Sequence, residues 1–359
     1  MDTQATLAGL PAWAVYAAGA IVLLLVAYSA YVILRPAPQA ALDKAIGRFS
    51  AYRDVTKPAP LGCPVPGDLR LCDYYVASSG YSVFPGNSVS DYVSDDILPL
   101  VIKAGARLVE LDVYSDEQDQ PVVGLKNQKV GYDYSYNSIP LQACCVAIAN
   151  TAFNPTETPL ASDPFLLSIV FHTEKTTTLN ATADILKDTL RKFMLPSEYS
   201  YQRRDMAAEP ICTVQGKLLL ISGGNLTGTK LEELVNLSWN GSNLRRLTYM
   251  QASQPYDHDE LIDYNRRKIT MVVPDATSSL KNTNPEILFG YGCQWNLMSY
   301  GSVDSMMSLY IAHFQERSFV EKPEALRYKK ITYNKPTPAD PALSFQPKNL
   351  KTPLFDVTL

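Results

Sequence analysis

The sequence predicts an α/β fold: a (β/α)8 barrel preceded by one membrane-spanning helix. Two observations carry this expectation. From Tyr74 to about Lys330, short apolar strand-like runs alternate with helix-like ones. That alternation is the mark of a parallel sheet covered by helices, and the span approaches the roughly 250 residues of one eight-stranded barrel. Ahead of it, Trp13 to Leu34 is an apolar run without a single charge. A hydrophobic content of 46% beside 19% charge excludes a disordered chain. A net charge of −4 and the lack of an Arg/Lys run give no footprint for nucleic acid as a partner.

The elements follow in order. Residues 1–12 form a short tail and residues 13–34 the transmembrane helix, long enough for a hydrocarbon core of roughly 30 Å. Trp13 and Tyr16 at one end, with Tyr28 and Tyr31 toward the other, suit the two interfaces. A cleaved signal peptide would be shorter and begin with basic residues, whereas the first twelve residues hold Asp2 and no Lys or Arg. Arg35, Lys44, Arg48, Arg53 and Lys57 all follow the span, so the positive-inside rule predicts a barrel facing the cytoplasm. Four Asn-x-Ser/Thr sequons, at Asn180, Asn225, Asn236 and Asn240, point the other way. About two or three arise by chance at this composition, and they are discounted as acceptors. Among the cysteines, Cys63 and Cys72 are spaced so that they could bridge. Cys144 and Cys145 are adjacent, and Cys212 and Cys293 sit in apolar surroundings like ordinary core thiols.

Residues 35–70 are expected to hold a short amphipathic helix near the membrane, within Ala41–Val55. A semi-rigid spacer follows, enforced by Pro58, Pro60, Pro64 and Pro66. Barrel strands are expected around Arg107–Tyr114, Phe165–His172, Lys217–Gly223, Lys268–Pro274 and Cys293–Tyr300. Helices are expected around Asp96–Ala106, Ala181–Leu195 and Ser302–Arg317. Residues 331–359 are Pro-rich, with Pro336, Pro338, Pro341, Pro347 and Pro353, and read as an extended arm.

Four blocks share an order. They are Val76-Ala77-Ser78-Ser79-Gly80-Tyr81, then Ala104 to Val113 with its Val-Glu-Leu-Asp, then Gln120-Pro121-Val122-Val123, then Phe165 to His172. A later stretch runs from Gly292-Cys293-Gln294 through Asp304 to Leu309 and ends on Phe319-Val320-Glu321-Lys322-Pro323 to Arg327. Together they resemble a phosphoinositide-specific phospholipase C. The resemblance implies a distorted barrel over residues 71–330, with an X-like half at 71–224, a connector at 225–242 and a Y-like half at 243–330.

In that family two histidines and Ca2+ cleave a phosphodiester. One histidine deprotonates the inositol 2-hydroxyl, and the other histidine and the metal stabilise the developing charge. The first histidine of this chain is His172. The resemblance puts Gly80 at the first catalytic His and Asn127 at the second. It puts Tyr81 and Val170 in place of two calcium ligands, and Ser222 and Gly224 in place of phosphate-binding lysines. The strand that should end in Arg and Tyr reads Met271-Val272-Val273-Pro274. Glycine has no side chain to carry a proton, and neutral asparagine is neither acid nor base near neutral pH. No catalytic residue is therefore expected.

Glu110 and Asp112 remain. Their spacing points both carboxylates to one face of a strand, leaving a vestigial metal site. Ca2+ wants about six to eight oxygens, so pairing with a local cation such as Lys126 or with backbone amides is preferred over a weak Ca2+ site, and no cofactor is expected. His172 matches a structural histidine of the family, while His258 and His313 lie apart without metal spacing. The function expected is a catalytically inactive, membrane-anchored scaffold in an organelle or a virus particle. It would bind a protein partner through the barrel surface or the Pro-rich tail. The alternatives are an altered phosphodiesterase using Glu110 and Asp112, or a sensor that binds a lipid headgroup without cleaving it.

Overall fold

In the computed structural model of the chain, eight parallel strands pair in chain order around a barrel. They are β1 (Ser78–Gly80), β2 (Leu108–Ser115), β3 (Phe165–Phe171), β4 (Leu218–Ser222), β5 (Leu237–Ser238), β6 (Leu244–Thr248), β7 (Ile269–Val273) and β8 (Trp295–Ser299). β8 returns to β1 with Leu297 opposite Ser78. Among the described residues no ladder joins β5 to β6, so the barrel is closed on all but one seam. The described residues are 11–34, 37–53, 58–62, 69–86, 91–127, 132–133, 135–275, 280–329 and 347–358.

Alternation along the strands builds two cores. Leu108, Leu166, Leu219, Ile221, Ile269 and Trp295 fill the inside of the barrel. Val109, Leu111, Leu167, Ile169 and Leu220 face outward to an apolar layer supplied by helices. This two-sided burial explains the near-continuous apolar reading of β3, β4 and β7. An antiparallel pair, Tyr74–Val76 with Phe319–Glu321, covers the end where the strands begin.

The helices are α1 (Ala12–Leu34), α2 (Pro38–Arg53), α3 (Ile97–Lys103), α4 (Leu141–Ala152), α5 (Thr176–Leu190), α6 (Tyr249–Ser253), α7 (His258–Arg267), α8 (Pro285–Gly290) and α9 (Ser305–His313). α7 and α9 start where Asp257 and Asp304 accept hydrogen bonds from the Glu260 and Met307 amides, satisfying donors the first turn leaves free. α1 has 23 residues, none buried, and is long and apolar enough to cross a membrane; a signal sequence passes the same test. Its Tyr31 meets Tyr136 edge-on at 6.4 Å.

The segment between α1 and the barrel, and the cysteines, are placed as follows. The juxtamembrane helix forms, but its apolar stripe of Ala41, Ala45, Phe49 and Tyr52 is buried, with Ala45, Phe49 and Tyr52 in the outer core of the barrel. The Tyr52 hydroxyl donates to the Tyr300 carbonyl at 2.7 Å, and Arg48 donates to the Pro85 carbonyl. One face of the helix thus packs on the barrel, while Ile46 on another is exposed. The following segment is docked: the Ala59 amide donates to the Glu316 carbonyl and the Leu61 amide to the Asp163 carboxylate. Pro64 and Pro66 lie outside the described residues. Cys72 is a free thiol, so it makes no bridge to Cys63, and Cys212 is disulfide-bonded rather than an ordinary core thiol.

A second unit spans Lys329–Leu359. In it Asn349–Lys351 and Asp356–Thr358 pair as an antiparallel hairpin, so part of the expected arm is ordered structure. Pro336, Pro338 and Pro341 lie outside the described residues.

Candidate functional site

At the end of the barrel where the strands finish, here called the mouth, β2 turns Glu110 and Asp112 toward the interior, as their spacing requires. Register sets their neighbours: Ser168 of β3 stands beside Glu110, and Val170 beside Asp112. Ser168 Oγ donates to Glu110 Oε2 at 3.0 Å. From the far side of the barrel, Arg246 of β6 extends its guanidinium to Glu110 Oε1 at 2.9 Å. Burial pushes the Glu110 carboxyl above the usual carboxylate range, against the downward pull of Arg246, and the Asp112 carboxylate adds to the rise.

Arg246 is in turn held by a ring. Its guanidinium lies 5.2 Å from the centre of the Trp239 indole. That indole packs on the bare backbone of Gly223, where a Cβ would stand 2.0 Å from Trp239 Nε1. Asp112 has a different partner. Its Oδ1 is 2.7 Å from His172 Nε2, and the His172 ring stacks on Tyr114 at 4.5 Å and 7°. Phe171, His172, Thr173, Gly223, Gly224 and Asn225 line a cavity of about 290 Å3 beside this pair.

The carboxylates are therefore paired, but not with the cation expected. Lys126 Nζ sits 5.4 Å from the Tyr114 ring centre, and the partners are Arg246 and His172. Arg246 was not singled out in the sequence. It lies in a Leu-Arg-Arg-Leu-Thr run whose polarity hides a strand, and only the inward phase of Leu244, Arg246 and Thr248 signals its direction.

The remaining positions are placed as follows. Gly80 ends β1, and a Cβ there would make ordinary contacts with Leu297 and Pro274 at 3.4 and 3.7 Å. Tyr81 adopts a φ of 51°, uncommon for a side-chain-bearing residue, and its ring packs against the outer core. Asn127 pairs through its backbone with Tyr132, while its side chain lies outside the described residues. The Ser222 hydroxyl donates to the Ile169 carbonyl at 2.8 Å, and Gly224 is exposed with a φ of 87°. Met271, Val272 and Val273 are buried.

The donor set does not fit Ca2+. Both Glu110 oxygens and one Asp112 oxygen are already engaged, Val170 offers no ligand, and the Arg246 cation repels a second positive charge where the metal would sit. No group of three metal-ligating side chains occurs among the described residues.

The family model for the X domain of phosphatidylinositol-specific phospholipase C matches residues 68–222. Over that segment the chain is similar to the phospholipase C family. The matched stretch runs from just before β1 to the end of β4, and Arg246 lies beyond it. No curated protein matches the chain. Among solved structures, PLC21 of S. officinalis aligns with a TM-score of 0.61 at 17% identity, over 73% of this chain and 38% of its own. PLC21 of L. pealei aligns with 0.62 at 17%, over 75% and 39%. The chain thus spans well under half of those two proteins, and at this identity what it shares with them is the fold, a phospholipase C barrel.

Proposed function

We propose that this phospholipase C barrel does not turn over phosphodiesters and serves as a scaffold, held at a membrane by α1 and presenting a surface to a protein partner. The observation that carries the reading is the Arg246–Glu110 ion pair at 2.9 Å. A guanidinium fixed on the carboxylate of a former metal site supplies charge balance without metal, and it blocks the Lewis acid that the family reaction requires. Gly80 agrees, since nothing at that position can accept a proton. Candidate partner surfaces are the barrel exterior and the C-terminal unit, whose Leu354 and Phe355 are exposed.

A second reading is favoured by the Asp112–His172 pair beside its cavity, because a carboxylate that orients an imidazole is the elementary unit of general-base catalysis. That unit could serve altered phosphodiester chemistry, and the cavity could equally hold a headgroup without cleavage. The full-length chain in detergent, given phosphoinositide vesicles and Ca2+, separates the readings. The scaffold reading expects no inositol phosphate and no diacylglycerol. Turnover abolished by Asp112→Asn or His172→Ala would overturn it, and vesicle binding without turnover would favour the sensor.

A further inference from the structure

Cys212 is disulfide-bonded. Four others, Cys72, Cys144, Cys145 and Cys293, are free and wholly buried at 0% exposure. The half-buried cysteine is thus bonded, and every thiol left reduced is sealed in a core. Beside Cys212, the Leu71 amide donates to the Glu209 carbonyl at 2.9 Å and the Ile211 amide to the Leu69 carbonyl at 3.1 Å. The segment entering the barrel is therefore already paired to the segment that carries Cys212. Structural disulfides of this kind persist in secretory and extracellular compartments and are rare in a reducing cytosol.

The sequons bear on the same point from independent geometry. Asn236 is buried, with its Oδ1 taken by the Leu220 amide and its Nδ2 by the Tyr199 carbonyl. Asn180 lies within α5 and accepts from the Lys230 amide. Asn240 donates its Nδ2 to the Gly224 carbonyl. Asn225 differs from all three. It is exposed on the loop between β4 and β5, just after the left-handed turn at Gly224, and Thr227 two residues on is exposed as well. No partner holds its side-chain amide among the described residues.

We propose that the barrel lies in an oxidising, exoplasmic compartment and carries an N-linked glycan on Asn225. This reverses the orientation expected from the basic residues after α1. One of those, Arg48, is committed to the Pro85 carbonyl inside the folded domain. Either use of α1, as an anchor or as a signal sequence, would deliver the barrel to that compartment. Asn225 also lines the cavity beside His172, so the glycan would stand at the rim of the mouth and bar a flat lipid surface from it. The proposal does not depend on whether the barrel is inactive.

The test uses the full-length chain expressed in cultured eukaryotic cells, with sealed microsomes treated with peptide N-glycosidase after lysis. The expected result is one mobility shift of a single glycan, retained in Asn240→Gln and lost in Asn225→Gln, an exposed substitution that leaves the core intact. In parallel, denatured but unreduced protein should take up a maleimide on the four free cysteines and on two more only after reduction. No shift, a shift that survives Asn225→Gln, or six reactive cysteines before reduction would overturn the proposal.

Discussion

Arg246 Nη2 lies 2.9 Å from Glu110 Oε1, joining strands 136 residues apart across the inside of the barrel. Glu110 keeps 8% of its side-chain surface and Arg246 25%, so removing the cation strands a buried carboxylate. Arg246→Met should cost about 3 kcal/mol in urea unfolding, at the low end for a broken buried pair because the arginine is partly wet. The cost should shrink as pH falls, since protonated Glu110 needs no counter-charge. The double variant Glu110→Met/Arg246→Met should recover most of it. A full loss that persists in the double variant would show that the pair matters for packing rather than charge.

The same pair predicts the response to metal. A protein that binds Ca2+ only when folded gains stability as the ion is added. With Glu110 occupied by Arg246 and Asp112 by His172, millimolar Ca2+ should leave the Tm unchanged relative to Mg2+ at equal ionic strength. A Ca2+-specific rise in Tm that Asp112→Asn abolishes would mean these contacts give way to metal.

How much of this could be read beforehand follows from where each signal is written. β2, β3, β4, β7 and β8 were legible because strands buried on both faces are apolar almost throughout. β6 was not, because Arg245 and Arg246 interrupt the apolar run, and the two-residue β5 is too short for any pattern. The carboxylate face of Glu110 and Asp112 follows from a period of two. Their partners are set by register and by closure across the barrel, which no local pattern encodes. The amphipathic stripe of α2 was equally plain, but a stripe does not say whether a membrane or a barrel will cover it.

At the mouth, Gly223 lies directly against the Trp239 indole. A methyl group there would stand 2.0 Å from Trp239 Nε1, so Gly223→Ala must push the indole off and away from Arg246. A loss of about 1–3 kcal/mol is expected from overpacking, with a shift in tryptophan emission as the ring moves toward solvent. Adding Trp239→Ala should relieve the Gly223→Ala clash specifically, which a thermal-denaturation double-mutant cycle would read as coupling between the two sites.

Restoring histidines should not restore turnover. At Gly80 a Cβ meets Leu297 and Pro274 at ordinary contact distances, so the backbone there accepts a side chain, and Gly80→His can be combined with Asn127→His. The double variant would still lack the carboxylate that Val170 replaces, and Arg246 would still hold Glu110. Inositol phosphate release from phosphoinositide vesicles is expected to stay at the level of the buffer control. Measurable Ca2+-dependent release would show that the two histidines alone were missing.

His313 should set the acid limb of stability near neutral pH. Its ring stacks on Phe289 at 4.2 Å and 18° and meets Tyr75 edge-on at 5.5 Å, and its Nε2 is buried without a hydrogen-bond partner among the described residues. Burial pulls the imidazole pKa below its usual value, so the folded protein prefers neutral His313, whereas in the unfolded chain the ring takes a proton near pH 6.5. The unfolded state then binds more protons below that pH. The contribution is therefore complete above about pH 6.5 and is lost as pH falls from there through the folded value. Urea midpoints of the wild type should drop between about pH 7.5 and about pH 5.5, and His313→Phe, which keeps the aromatic stack but cannot titrate, should flatten that drop. An unchanged slope in His313→Phe would assign the acid sensitivity to other groups.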